Sequence, residues 1–191
     1  MKSLLAAALL SVSMSASAQY GVAAAYEYDS ATQNKIGLVS LAKKGFLVGA
    51  RGKYGTVDLD FYEVALKGTT VADNIQGTEF GYAPPVLPVG PIQLSARAAV
   101  GKLFNRGLGN PPTAYYRTLG ITASYPLSKQ LSPFISFRYR PEQDLDRQSM
   151  YSVGVSYIAS KNVMLQATVR QSRSSKLPIM NGFSTQVLFM F

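Results

Sequence analysis

Neither cysteine nor histidine occurs anywhere in the 191 residues. Without cysteine there is no disulfide to staple the fold and no thiolate to serve as nucleophile or metal ligand. Without histidine, a Ser-His hydrolase triad and the commonest metal ligand are both excluded. Carboxylates are scarce: ten Asp and Glu stand against nineteen Lys and Arg, for a formal net charge of +9. The acidic pairs Asp58 with Asp60 and Asp144 with Asp146 each offer two carboxylates, whereas a hard cation takes about six or more oxygens. No metal and no cofactor is expected. The basic residues do not gather either, since Arg51, Arg97, Arg138 and Arg170 stand singly with no nucleic-acid-binding motif beside them, so nucleic acid is not an expected partner. Gly107-Leu108-Gly109 ahead of Pro111-Pro112 reads as a loop breaker and not a phosphate cradle, because no helix follows.

Long apolar runs are also missing, apart from Leu4 to Leu10, which is well short of the roughly 20 residues a membrane-spanning helix needs. That run follows the basic Met1-Lys2 and precedes the small residues Ser15-Ala16-Ser17-Ala18, the layout of a signal peptide cleaved after Ala18. The expected division is 1–18 as signal peptide and 19–191 as one domain, since no composition shift divides the remainder. Losing Lys2 lowers the net charge from +9 to +8.

What the chain does have is alternation. From Gly182 to Phe191, residues Phe183, Thr185, Val187, Phe189 and Phe191 fall on one side and Gly182, Ser184 and Gln186 on the other, the period of a strand with two unlike faces. Two segments superpose, one ending Tyr125-Pro-Leu-Ser-Lys129 and the other Tyr157-Ile-Ala-Ser-Lys161. The shared unit is strand, Tyr, short Ser-Lys turn, strand, at hairpin spacing. Ala42-Lys43-Lys44-Gly45 reads as a third such turn and Leu87-Pro88-Val89-Gly90-Pro91 as a fourth, because prolines are excluded from central strands and Gly permits a tight reversal. Longer polar connections lie at Asp29 to Asn34, Gly68 to Asn74, Asn105 to Thr113, Pro141 to Gln148 and Ser172 to Ile179.

Ten strands follow, near 20–28, 35–42, 46–57, 75–84, 92–103, 115–125, 132–140, 149–158, 162–172 and 180–191, with eight as the alternative count. Thr56 to Lys67 fits least well, because Asp58-Leu59-Asp60-Phe61 and Tyr62-Glu63-Val64 alternate in opposite senses; it either extends the third strand with a bulge near Phe61 or makes a separate strand.

One face collects Val22, Ala24, Tyr26, Val48, Leu94, Ala98, Val100, Leu119, Ile121, Ile135, Phe137, Val153, Val155, Leu165, Ala167 and Val169. The other holds the charged residues Glu27, Arg51, Lys53, Glu79, Arg97, Arg138, Arg140 and Arg170 among Ser, Thr, Gln and glycines 21, 49, 81, 101, 120 and 154. A soluble sandwich buries apolar inner faces. Here the polar face has no dry core to join, which suits a closed sheet with lipid outside and water or an ion network inside. Tyr20, Tyr28, Tyr125, Tyr139 and Tyr157 near strand ends read as aromatic girdles.

With its secretory start, its Tyr-x-x-Ser-Lys turns at 125–129 and 157–161 and its terminal Phe189-Met190-Phe191, the chain resembles small bacterial outer-membrane β-barrel proteins of the outer-membrane protein A or porin-like kind. The resemblance implies an all-β, antiparallel up-and-down transmembrane barrel in the bacterial outer membrane, with short turns at the periplasmic rim and the longer connections as extracellular loops. It implies a monomer whose partners are outer-membrane lipid and lipopolysaccharide, and the barrel assembly machinery, which would read Phe189 and Phe191. Thr185 and Gln186 stand where that signal usually carries a glycine. Outer-membrane enzymes such as lipid A deacylases, palmitoyltransferases, phospholipases and omptin proteases use a histidine, so the expectation is a non-enzymatic barrel. Either it is a structural surface protein whose ions fill the lumen, or it is a small pore whose six inner cations against two carboxylates favour anions. The alternative is an adhesion or ligand-binding surface protein whose loops present Arg106, Arg147, Arg173 and Lys176.

Overall fold

The computed structural model describes residues 19–33, 37–52, 54–67, 74–105, 113–175 and 179–190. The expected signal peptide, Lys53, Arg106, Lys176 and Phe191 lie outside the described residues. The described chain is built from strands β1 (Gln19–Gln33), β2 (Gly37–Gly52), β3 (Gly55–Lys67), β4 (Asn74–Ala83), β5 (Leu87–Val89), β6 (Ile92–Asn105), β7 (Thr113–Ser124), β8 (Leu131–Arg140), β9 (Gln148–Ser160), β10 (Val163–Ser174) and β11 (Met180–Met190). All pairings are antiparallel, and β1–β11 together with β4–β6 close the sheet into a ring of ten strands. Closure gives every strand of the ring a neighbour on both sides, as a spanning sheet requires, although β7 pairs with β8 only from Leu119 onward. The three-residue β5 stands outside the ring and pairs only with the start of β6.

Ten is the expected count; one expected turn is corrected, the alternative of a separate strand at 56–67 is the one found, and several strands run past their expected ends. Ala42-Lys43-Lys44-Gly45 is no turn; it lies inside the continuous strand β2. The backbone register pairs Lys43 with Glu27 on β1 and Lys44 with Glu63 on β3, so the strand continues at a place where the local composition suggests a reversal. The segment 56–67 is a strand of its own, and Phe61 pairs with Phe46 and Thr78 in unbroken register, so there is no bulge. The change of sense near Glu63 has a simple cause: β3 has 13 residues, more than the roughly 9–11 that cross a bilayer, and a strand end beyond the apolar belt need not keep the polarity of its two faces. For the same reason β1 runs through Asp29 to Gln33 and β10 through Ser172 to Ser174, which had read as connections.

The Ser-Lys units are turns with a side-chain bond at their centre. Ser128 Oγ accepts the N–H groups of Gln130 and Leu131 at 3.2 and 3.0 Å, and Ser160 Oγ accepts that of Asn162 at 3.4 Å. The Pro88 to Pro91 segment also reverses the chain, with Gly90 at φ 59°, a conformation that favours glycine.

The two faces separate cleanly where side chains are described. Val100, Leu119, Ile135, Val153 and Val169 are each 57–63% exposed, although they sit mid-strand in paired registers. Buried apolar side chains are limited to Ala99, Ala114, Tyr116, Phe134 and Met180 among the described residues. A belt of open aliphatic side chains around a polar interior reverses the order of a soluble fold and matches lipid as the outer solvent.

Inside, aromatic rings lie flat over glycines on the neighbouring strand. Tyr62 covers Gly77, Tyr116 covers Gly101 and Phe134 covers Gly154, each the directly paired residue. A Cβ at Gly101 would stand 2.1 Å from Tyr116 Cζ, and one at Gly77 2.4 Å from Tyr62 Cζ. Gly101→Ala should therefore destabilise the folded barrel by about 1–3 kcal/mol through overpacking. Urea unfolding should also show that Gly101→Ala with Tyr116→Ala costs less than the two single losses added, since the ring that clashes is gone. Strict additivity would mean that the two positions do not touch.

Candidate functional site inside the barrel

Small residues on the inner wall make room for long charged ones to lie across it. Arg97 on β6 extends over Gly81 of β4, where a Cβ would meet its Nη2 at 2.3 Å, and so reaches Asp58 on β3, one strand further on. Its Nε donates to Asp58 Oδ2 at 2.9 Å and its Nη2 to Oδ1 at 2.5 Å, a bidentate fork that a lysine has no means to make. The remaining Nη1 donates to Glu79 Oε1 at 2.5 Å. Glu79 Oε2 in turn accepts from Arg138 Nη2 on β8, and that nitrogen also lies 3.5 Å from Thr118 Oγ1 on β7. One chain of ions, Asp58, Arg97, Glu79 and Arg138, thus links β3, β6, β4 and β8. Such bonds between strands that are not neighbours form only on the concave side of a closed sheet.

Beside this chain, the hydroxyls of Tyr62 on β3 and Tyr116 on β7 meet at 2.5 Å. The Arg140 guanidinium sits 5.9 Å from the Tyr116 ring centroid and donates from Nε to the Asp146 carbonyl at 3.1 Å. Burial is deep: Glu79 is 2% exposed, Thr118 3%, Asp58 8% and, on β10, Arg170 9%. A carboxylate this dry is tolerable because both its oxygens accept from guanidinium groups.

The structure brings together Glu79, Arg97 and Arg138 of the expected inner set and places Arg140 beside the same cluster through Tyr116. Arg170 is buried opposite Ser152 and Gly182. Arg51 stands exposed at the end of β2, opposite Thr56. Glu27 pairs by backbone register with Lys43 and Ser184; its side chain lies outside the described part. Phe189 is 45% exposed on the outer face opposite Val22 and Val163. Asp58 is the residue sequence reasoning missed, with Asp60 two positions on. The signal was present, since Val57, Leu59 and Phe61 alternate with Asp58, Asp60 and Tyr62. It was hidden because the stretch was left between an extension of the third strand and a strand of its own, and its carboxylates were weighed only as a cation pair. With Asp58 and Asp60 counted, the inner charges are closer to balance than six cations against two carboxylates.

No family model matches the chain, and no curated protein matches it. Among solved structures, the translocator domain of the autotransporter NalP from Neisseria meningitidis superposes with a TM-score of 0.53 at 12% identity, covering 100% of this chain and 94% of that one. The KdgM porin gives 0.44 at 14% identity, covering 90% and 99%. Neisserial surface protein A gives 0.44 at 14% identity, covering 91% and 97%. Together with the closed antiparallel ring, its apolar belt and its polar interior, the superposition on the NalP translocator establishes that the chain has the fold of a bacterial outer-membrane β-barrel.

Proposed function

We propose that this protein is a monomeric, non-catalytic barrel of the bacterial outer membrane that acts as a structural surface protein, its lumen closed by its own ions. The single observation behind this reading is the Asp58–Arg97–Glu79–Arg138 chain and the burial of its two carboxylates. In a water-filled pore, inner-wall charges stay hydrated, whereas Glu79 at 2% exposure and Arg170 at 9% have little water access. Barrels of about eight strands have interiors just filled by side chains, and a ring of ten is close to that limit. The absence of His and Cys from the chain supports a role without catalysis. By this reading the strand ends at Gln33, Lys67, Asn105, Arg140 and Ser174 face the cell exterior and the short turns face the periplasm.

A second reading, a small and weakly anion-preferring pore, draws support from Arg97 and Arg138, whose side chains keep 28% and 35% exposure. Planar-bilayer recording in concentrated potassium chloride separates the two. The expected result for the folded wild-type protein is no stable conductance step, with steps appearing in Glu79→Leu as the chain of ions is broken. Regular wild-type steps with an anion-favouring reversal potential would overturn the closed-lumen reading in favour of the pore.

A further inference from the structure

Among the described residues, the outer rows of the strands carry cations toward one end. On the outer rows of β6, β7 and β10, the apolar residues Val100, Leu119 and Val169 give way toward the 106–112, 141–147 and 175–179 end to Lys102, Arg117 and Arg173. At the opposite end the exposed outer residues include Tyr54, Tyr82, Leu87, Tyr125 and Tyr157, and Lys129 and Lys161 belong to the turns themselves.

At the cationic end there is a depression of about 340 Å³ lined by Tyr139, Arg147, Ser149, Arg173, Ser174 and Ser175, with no carboxylate in its wall. Its parts are held in place. Arg173 donates from Nε and Nη2 to Gln171 Oε1 at 3.3 and 3.1 Å. Gln171 is itself anchored by its Nε2 to Asn181 Oδ1 at 3.1 Å. The Ser175 N–H donates to the Arg147 carbonyl at 3.1 Å, tying the two loops so that both guanidiniums border one space. Arg173, Ser149 and Tyr139 form a single cross-strand row on the outer face. It lies four residues beyond Val169, about 13 Å along the strand at ~3.3 Å per residue.

We infer that this depression binds the phosphate of a phosphorylated glycolipid packed against the barrel in the outer leaflet. Two guanidiniums and neighbouring hydroxyls are the donor set a phosphate monoester calls for. The position selects a lipid over a soluble anion. A headgroup in this space continues into acyl chains beside Val153 and Val169, which are 57% and 63% exposed, so apolar burial adds to the ionic bonds.

The inference rests on the proposed outer-membrane placement, and the experiment keeps the two apart. Each variant is first folded in detergent and checked by its heat-dependent gel shift; a wild-type chain that fails this step overturns both readings. Folded protein is then titrated with bisphosphorylated lipid A and bound lipid counted by native mass spectrometry. Wild type should retain the lipid. Arg147→Gln with Arg173→Gln should bind roughly tenfold or more weakly, having lost two charge-assisted contacts, and Lys129→Gln with Lys161→Gln, the same loss of charge at the other end, should bind as wild type does. Dephosphorylated lipid A should bind wild type as weakly as the arginine variant binds the phosphorylated form, and millimolar inorganic phosphate should not displace the lipid. Equal weakening in both double variants, unchanged binding in the arginine variant, no preference for the phosphorylated lipid, or displacement by inorganic phosphate would each overturn the inference, the last pointing to a site for a soluble anion.

Discussion

Glu79→Leu should destabilise the folded barrel by about 3–5 kcal/mol, because removing one partner of a buried ion pair leaves uncompensated charge behind. The loss is doubled here, since Glu79 holds Arg97 through one oxygen and Arg138 through the other. Arg97 keeps its fork to Asp58, whereas Arg138 keeps only the neighbourhood of Thr118. The second substitution Arg138→Leu added to Glu79→Leu should therefore recover part of the loss, since the pair is replaced by apolar bulk instead of being broken. Urea unfolding in lipid vesicles, followed by the gel shift of the folded form, measures both. A Glu79→Leu barrel within about 0.5 kcal/mol of wild type, the range of an ordinary surface change, would show that the ion chain is not what holds the inner wall together.

The second large effect belongs to the outer wall. Val169→Arg should cost about 2–4 kcal/mol in vesicles, and Gln171→Arg, two residues along on the same face, no more than about 0–1 kcal/mol, because the penalty for a charge against lipid falls steeply from the midplane to the interface. The two positions share strand β10 and its outer row, and Val169 is paired with Val153 and Phe183 while Gln171 meets Tyr151 and Asn181. The pairs are not matched, and Gln171→Arg also gives up the bonds to Arg173 and Asn181, so a smaller cost at 171 in spite of those losses would single out depth. Equal costs at the two sites would deny the apolar belt its lipid. A larger cost at Gln171 would place the membrane boundary elsewhere on the wall.

Much of this protein was legible one residue at a time. Successive side chains of a strand leave on opposite sides by covalent geometry, so the alternation of Phe183, Thr185, Val187 and Phe189 with Gly182, Ser184 and Gln186 assigns two faces without knowledge of any neighbour. An apolar face paired with a polar one, in a chain without cysteine or a long apolar helix, leaves a closed barrel in lipid as the economical fold. The Ser128 and Ser160 turns were equally local, since each is completed within two or three residues by one hydroxyl.

Register was not local. Whether residues 43 and 44 end a strand or continue one depends on β1 and β3, which flank them and with which they pair by register. The false turn at 42–45 and the strand at 55–67, which the count of ten had left out, compensated, so the number of strands came out at ten while their boundaries did not. The role of Asp58 depends on Arg97, 39 residues away, and on the absence of a side chain at Gly81 lying between them. Glycines that in sequence merely interrupt a polar face became, once β3, β4 and β6 were set side by side, the floor over which the arginines and tyrosines lie. Composition and period separated an apolar face from a polar one; the hydrogen-bond register of the closed ring decided which polar residues meet, because pairing partners are chosen by closure of the whole sheet and leave no mark on either segment alone.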